Sequence, residues 1–241
     1  MKVDYVPVDC PVPTGAWRAV EYPSRVFARE SFIDEISRAG GRDPLRLRID
    51  LLRPGDILEL GDQRIDRGRM IKVLEIARDR TGWANPLPHT RDRLRGRGLA
   101  INSYFGESYV AEVAEVSDAR DFSGLRVDRV ACIVDCGVAI NRAGLEGQIE
   151  SGIAWGLSAT LRGKIDFRAG GALQESYADF AVMRMDEMPA IETHILPSQA
   201  PPSGFGEHPV PPVAPAVANA VFAATGKRVR RLPLTPARLR A

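Results

Sequence analysis

Tyr104-Phe-Gly-Glu-Ser-Tyr-Val-Ala-Glu-Val-Ala-Glu-Val-Ser117 and Gly124-Leu-Arg-Val-Asp-Arg-Val-Ala-Cys-Ile-Val-Asp135 decide the fold class. Both runs are rich in β-branched residues and repeat with a period of two, which predicts strands. The polar, turn-rich residues 118–123 lie between them, so the pair reads as a long-looped hairpin. Working outward, a helix is predicted over 145–159. A second hairpin (161–167 and 173–177) flanks Gly170-Gly171, a strand follows at 191–196 and a helix at 215–225. Upstream the period changes to that of helices. Phe27, Phe32, Ile33 and Ile36 predict a helix over 27–39 ending at Gly40-Gly41; Asp43-Pro44 opens a second one to Leu52, and Met70, Ile71, Leu74 and Ala77 mark a third over 67–81.

Residues 85–97 hold two prolines and four arginines with few apolar side chains and read as a surface crossing. Residues 3–13 alternate but carry three prolines, which suits an extended edge segment in need of a partner. The expectation is one α+β unit over 1–241, of mixed sheets and hairpins with packed helices. It has a mainly helical part after an N-terminal edge strand (1–84), the crossing (85–97) and an α+β part (98–241).

Thirty-three basic and 31 acidic side chains in 241 residues leave a formal charge of +2, so a polyanion-binding surface is not expected. With 44% hydrophobic and 27% charged residues, the chain has the composition of a globular domain. Neither a secretory leader nor an apolar run of membrane-spanning length is present, so a cytoplasmic protein is expected. Cys10, Cys132 and Cys136 match no disulfide framework, zinc site or iron–sulfur spacing, and His89, His194 and His208 are scattered. Any metal is expected to arrive inside a cofactor.

Three segments are candidates for chemistry. The helix around Gly147-Gln148 has Gly152 and Gly156 four residues apart, which bares one side for close approach. Its start, with Gly147 and Gln148, offers N–H groups and an amide to an anion, although ordinary packing on a sheet with Gln148 in water explains the same residues. In Pro201-Pro-Ser-Gly-Phe-Gly-Glu-His-Pro-Val-Pro-Pro212, glycines that permit unusual backbone angles precede stiffening prolines, with Glu207 in the middle. Held in a pocket, that carboxyl would have its pKa raised by burial and suit a general base; in water it is an ordinary loop glutamate. Trp17-Arg18, after Pro13-Thr-Gly15, offers a guanidinium or backbone N–H groups to an anion, or a packed indole.

Several of these stretches, taken in order, resemble a known family. Val130-Ala-Cys-Ile-Val-Asp-Cys-Gly-Val-Ala-Ile-Asn141, Gly147-Gln-Ile-Glu-Ser-Gly-Ile-Ala-Trp-Gly-Leu-Ser-Ala159, Gly204-Phe-Gly-Glu207 and the run from Pro211 to Pro233 resemble the C-terminal part of molybdenum hydroxylase large subunits. The pattern is that of the isoquinoline 1-oxidoreductase beta-subunit type within the xanthine dehydrogenase and aldehyde oxidase superfamily, and Pro13-Thr-Gly-Ala-Trp-Arg-Ala-Val20 extends it upstream. The resemblance implies the C-terminal part of a molybdopterin-binding domain, with Glu207 as the catalytic base and Gly147, Gln148, Trp17, Arg18 and Gly206 beside the cofactor. It further implies molybdopterin cytosine dinucleotide as that cofactor, and oxidation of aldehydes or hydroxylation of N-heteroaromatics with oxygen from water.

Such subunits also carry Phe-Gly-Arg-Arg and Met-Gly-Gln-Gly loops, which do not occur in this sequence. The expected partners are therefore a polypeptide with the N-terminal half of the large subunit and a [2Fe–2S] small subunit; a twin-arginine signal on a partner would place the assembly in the periplasm. His208 stands where the family usually has proline, Ser151 where glycine is common, and Arg142 where proline is frequent. The rival reading is a catalytically silent fragment or interaction protein that keeps the fold without the cofactor.

Overall fold

The computed structural model describes residues 6, 7, 9, 12–53, 55–61 and 63–240. Helix α1 (Tyr22–Ala39) leads into α2 (Pro44–Leu52), whose start is capped by the Asp43 side chain accepting from Arg46 N–H at 2.7 Å. Strands β1 (Ile57–Leu60) and β2 (Gln63–Asp66) form a hairpin, and α3 (Arg67–Thr81) follows, capped by Asp66 and stopped by Gly82 at φ 57°. Strands β3 (Arg93–Tyr104), β4 (Ser108–Ala119) and β5 (Arg126–Asp135) come next, then α4 (Arg142–Leu161) and the short pair β6 (Phe167–Arg168) and β7 (Gly171–Ala172). A single 3₁₀ turn (Met185–Glu187), β8 (Ala190–Ile195), α5 (Val210–Thr225) and α6 (Pro236–Arg240) complete the order.

The central sheet runs β3-β4-β5-β8, with antiparallel neighbours except for the parallel β5–β8 pair. Both of its faces are covered, which is why β4 is buried along nearly its whole length. On one face Val110, Ala114, Val130, Cys132 and Val134 pack against Ile149, Ile153 and Leu157 of α4 and Val213, Val217 and Val221 of α5. On the other, Leu99, Ile101, Val113, Ala131 and Ile133 meet Leu45 and Ile49 of α2 and Val73 and Leu74 of α3. Glu112 lies on the α4/α5 face opposite Cys132, fully buried, and burial pushes its carboxyl well above the usual range.

Helix α5 lies directly on β3. A Cβ at Gly98 would stand 2.1 Å from Ala220 N, and one at Gly96 would stand 2.3 Å from Ala220 O, so only glycine permits this approach. The outer edge of β3 is taken up by side chains. Glu30 Oε2 accepts from Ile101 N–H at 3.1 Å, Arg29 donates to Ile101 O at 2.9 Å, and Asn219 donates to Leu99 O at 3.1 Å. Glu30 is itself buried on Arg48, at 2.8 Å; burial raises its carboxyl, but Arg48 and Arg29 outweigh that and hold it below the usual range.

The architecture is the expected α+β class, with several corrections. The crossing expected over 85–97 ends early, because β3 begins at Arg93. Its arginines and the scarcity of apolar residues read as loop, whereas Gly96 seats α5 and Arg93 and Arg97 bond Ser117 and Glu115 across the ladder. Tyr104 ends β3 instead of opening β4; Phe105 and Gly106, at φ 50° and 74°, make the tight turn between them. The mainly helical part contains the β1–β2 hairpin, and the hairpin expected over 161–177 shrinks to β6–β7. Helix α5 starts at Val210, since Pro211 and Pro212 suit its first turn. The edge segment expected over 3–13 lies largely outside the described residues, as does Cys10; its described members Val6, Pro7, Asp9, Val12 and Pro13 are in no strand.

Candidate functional site

Three segments converge at the ends of β3 and α4: the turn 17–21 before α1, the second turn of α4, and the loop 203–209 before α5. The loop is tied to the end of β5, where Ser203 donates both N–H and hydroxyl to Cys136 O at 2.9 and 3.0 Å. Gly137, at φ 72°, lets Pro201 O pass 2.0 Å from where a Cβ would stand. Val210 N–H, bonded to Glu207 O at 3.1 Å, fixes the exit into α5. Neither Gly204 nor Gly206 has a positive φ, contrary to the expectation from sequence. What they supply is bare backbone.

Arg18 joins the segments. Its Nε donates to Gly206 O at 2.8 Å, its Nη1 to Ser151 Oγ at 3.0 Å and its Nη2 to Gln148 Oε1 at 3.1 Å. Burial lowers the pKa of this guanidinium, against the pull of Glu207. Because Arg18 holds the Gln148 oxygen, the amide NH₂ is left to donate elsewhere, and among the described residues it donates to nothing. Helix α4 starts at Arg142, capped by Asn141 accepting from Gly144 N–H at 2.9 Å. Gly147 and Gln148 thus sit in its second turn, where their N–H groups belong to the helix; the Gln148 side chain, not a free helix terminus, reaches the site.

Glu207 is half-buried. Its Oε1 accepts from the Tyr104 hydroxyl and its Oε2 from Ala19 N–H at 2.9 Å. Ala19 and Val20 hold φ of 76° and 49°, a left-handed turn that is costly for a β-branched residue and that aims the Ala19 N–H at the carboxylate. Burial would raise the Glu207 carboxyl, as expected from sequence. However, the bonds from Tyr104 and Ala19, with the nearby charge of Arg18, prevail and hold it below the usual range. The Trp17 ring turns outward, 40% exposed, with its centroid 6.1 Å from that of Trp155.

Arg18, Gln148, Gly206 and Glu207 therefore meet, Gly147 adjoins them on α4, and the Trp17 ring stands at the rim. Sequence reasoning missed Tyr104, Ala19 and Ser151 as members of this cluster. Tyr104 was legible in principle, since Phe105-Gly106 is a turn signal that would have placed it at a strand end. Among the described residues no group of three or more His, Cys, Asp or Glu converges on a point.

The surface beside Gln148 is nearly bare. No atom lies within 4 Å of a Cβ built at Gly147 or Gly204, and only Gln148 Oε1, at 3.7 Å, approaches one at Gly206. A groove of about 360 Å³ opens there between Asn141, Gln148, Pro202, Phe205 and Gly206. An open face with an unused amide donor and a fixed carboxylate fits a flat, polar-edged heterocyclic cofactor. Farther along α4 a groove of about 910 Å³ is lined by Trp17, Trp155, Tyr177, Phe180, Met183 and Met185.

Residues 72–189 match the family model of the molybdopterin cofactor-binding domain. A nicotinate dehydrogenase subunit of Pseudomonas putida is 33% identical over 96% of this chain, which covers 20% of that protein. The beta subunit of isoquinoline 1-oxidoreductase from Brevundimonas diminuta is 28% identical over 88% of the chain, which covers 25% of it. Among solved structures, the aldehyde oxidoreductase of Desulfovibrio gigas superposes with a TM-score of 0.78 at 16% identity, over 93% of this chain and 41% of that one. Quinoline 2-oxidoreductase of Pseudomonas putida does so with a TM-score of 0.79 at 15% identity, over 94% and 52%.

The fold is thus that of the molybdopterin-binding domain of these oxidoreductases. The chain belongs to the molybdenum hydroxylase family that includes the xanthine dehydrogenases and aldehyde oxidases. It spans only a fifth to a quarter of the length of these two curated relatives.

Proposed function

We propose that the chain is the catalytic-glutamate part of a molybdenum hydroxylase large subunit, with Glu207 as the general base. The observation that carries this is the Glu207 carboxylate, fixed by Ala19 N–H and Tyr104 beside the bare surface of Gly147, Gln148 and Gly206. Molybdopterin, in its cytosine dinucleotide form, would supply the two-electron redox chemistry. Gln148 and the backbone of Gly147 and Gly206 would hold its edge, and Arg18 and Trp17 would fix the turn that faces it. The net change is substrate C–H plus water giving C–OH, two protons and two electrons. Glu207 has both oxygens engaged by donors, yet each keeps a lone pair. Being held as the anion, it takes up the proton as the new C–O bond forms.

Substrates of the aldehyde or N-heteroaromatic class follow from the names of relatives, nicotinate and isoquinoline among them. The electrons would pass to a [2Fe–2S] subunit. The other cofactor-binding loops would come from the remainder of the large subunit, whose length in the relatives supports a further portion. In the assembled enzyme, elemental analysis is expected to give one molybdenum per site, and Glu207→Gln is expected to lower turnover by about 10²–10⁴ with that content unchanged. Full turnover by Glu207→Gln would overturn the reading.

A further inference from the structure

We propose that Tyr104, wedged between Tyr22 and His208, is a positioning residue that fixes the Glu207 side chain in its working pose, with His208 as the buttress of the tyrosine ring. The proposal rests on the reading of Glu207 as the base and adds the two residues that aim it.

Tyr104 closes β3, is 4% exposed, and donates its hydroxyl to Glu207 Oε1. Its ring is boxed by Tyr22 at 4.3 Å, Phe105 edge-on at 4.7 Å and His208 at 4.4 Å. With the ring held on three sides, the hydroxyl has one place to point. His208 in turn stacks on Phe205 at 4.7 Å with 13° between the planes. It is buried, and among the described residues its Nδ1 has no partner. Burial depresses its imidazole to about 4, against the pull of Glu207, so it is a neutral ring at working pH and serves by packing.

A proline at position 208 has only a small saturated ring and no aromatic face to lay between Phe205 and Tyr104, so this chain secures the tyrosine by a stacking contact that a proline there could not make. The charged and titratable groups bearing on Glu207 are Arg18 from the turn before α1, Tyr104 from β3 and the adjacent His208. Glu21 and Tyr22 in turn bear on Tyr104. The Tyr104 hydroxyl is itself pushed up, by burial first and then by Glu207, so it stays a donor across the working range.

The test follows the carboxyl group directly. In the full chain carrying ¹³C at glutamate carboxyls, the Glu207 resonance is assigned by its loss in Glu207→Gln and then titrated in each variant. Tyr104→Phe keeps the ring stack and removes only the hydroxyl; it is expected to raise the Glu207 pKa by about one unit, a tenfold change in proton binding. His208→Phe is expected to keep the wild-type titration, and His208→Pro to move it in the direction of Tyr104→Phe. A Glu207 titration unmoved by Tyr104→Phe, or an equal shift in both His208 variants, overturns the proposal. This outcome is separate from turnover by Glu207→Gln in the assembled enzyme, which tests the role of the carboxylate itself.

Discussion

Glu112 sets the stability of this domain against pH. Its Oε1 accepts only a weak bond from Cys132 Sγ, 3.6 Å away, and its Oε2 has no partner among the described residues. With burial raising its pKa, the side chain is a neutral acid inside the fold. The sign follows from linkage: below about 4.5 both states are protonated, and above it the unfolded chain ionises while the folded one stays neutral, so stability falls as pH rises toward the folded value. Glu112→Gln removes that term. In urea unfolding at a series of pH values, the advantage of the variant over wild type is expected to grow by about 1.4 kcal/mol per pH unit from pH 5 upward. A constant difference would show that Glu112 is ionised in the fold.

At the scale of elements, the seat of α5 on β3 makes the sharpest prediction. Gly98→Ala drives a methyl group into the backbone of Ala216 and Ala220, so α5 must lift off the strand. A loss of about 2–3 kcal/mol is expected, at the upper end for overpacking, read as a lower urea midpoint with an unchanged slope. The same seat explains what the sequence conceals. Helix α3 is legible to the residue, since Asp66, the apolar spacing and Gly82 each mark it locally. Strand β3 is not, because Gly96 and Gly98 look like loop residues until a helix from 120 positions further along is laid over them. The site divides in the same way. Glu207, Gln148 and Arg18 stand in unusual local sequence, whereas Tyr104 and Ala19 gain their roles only through contacts across 103 and 188 positions.

For the whole molecule, the apolar groove along α4 matters most. Trp155 is 47% exposed, Tyr177 87% and Met185 91%, a wider run of apolar surface than a free-standing domain usually leaves in water. Since these relatives are roughly three and a half to five times as long, a further portion like theirs is the expected cover under the proposed function. Trp155→Glu is expected to weaken capture of that part at least tenfold in a binding titration while leaving the melting temperature of the chain near wild type. Equal affinity in the variant would place the contact elsewhere.

The side chains along the outer edge of β3 set a direction for this joining. Glu30, Arg29 and Asn219 already occupy the backbone groups to which an incoming strand would bond. The ladder cannot lengthen on that side without first evicting them. A companion strand would therefore have to displace these side chains at Leu99 and Ile101, whereas β8 (Ala190–Ile195) is the other edge of the sheet at which one could be added.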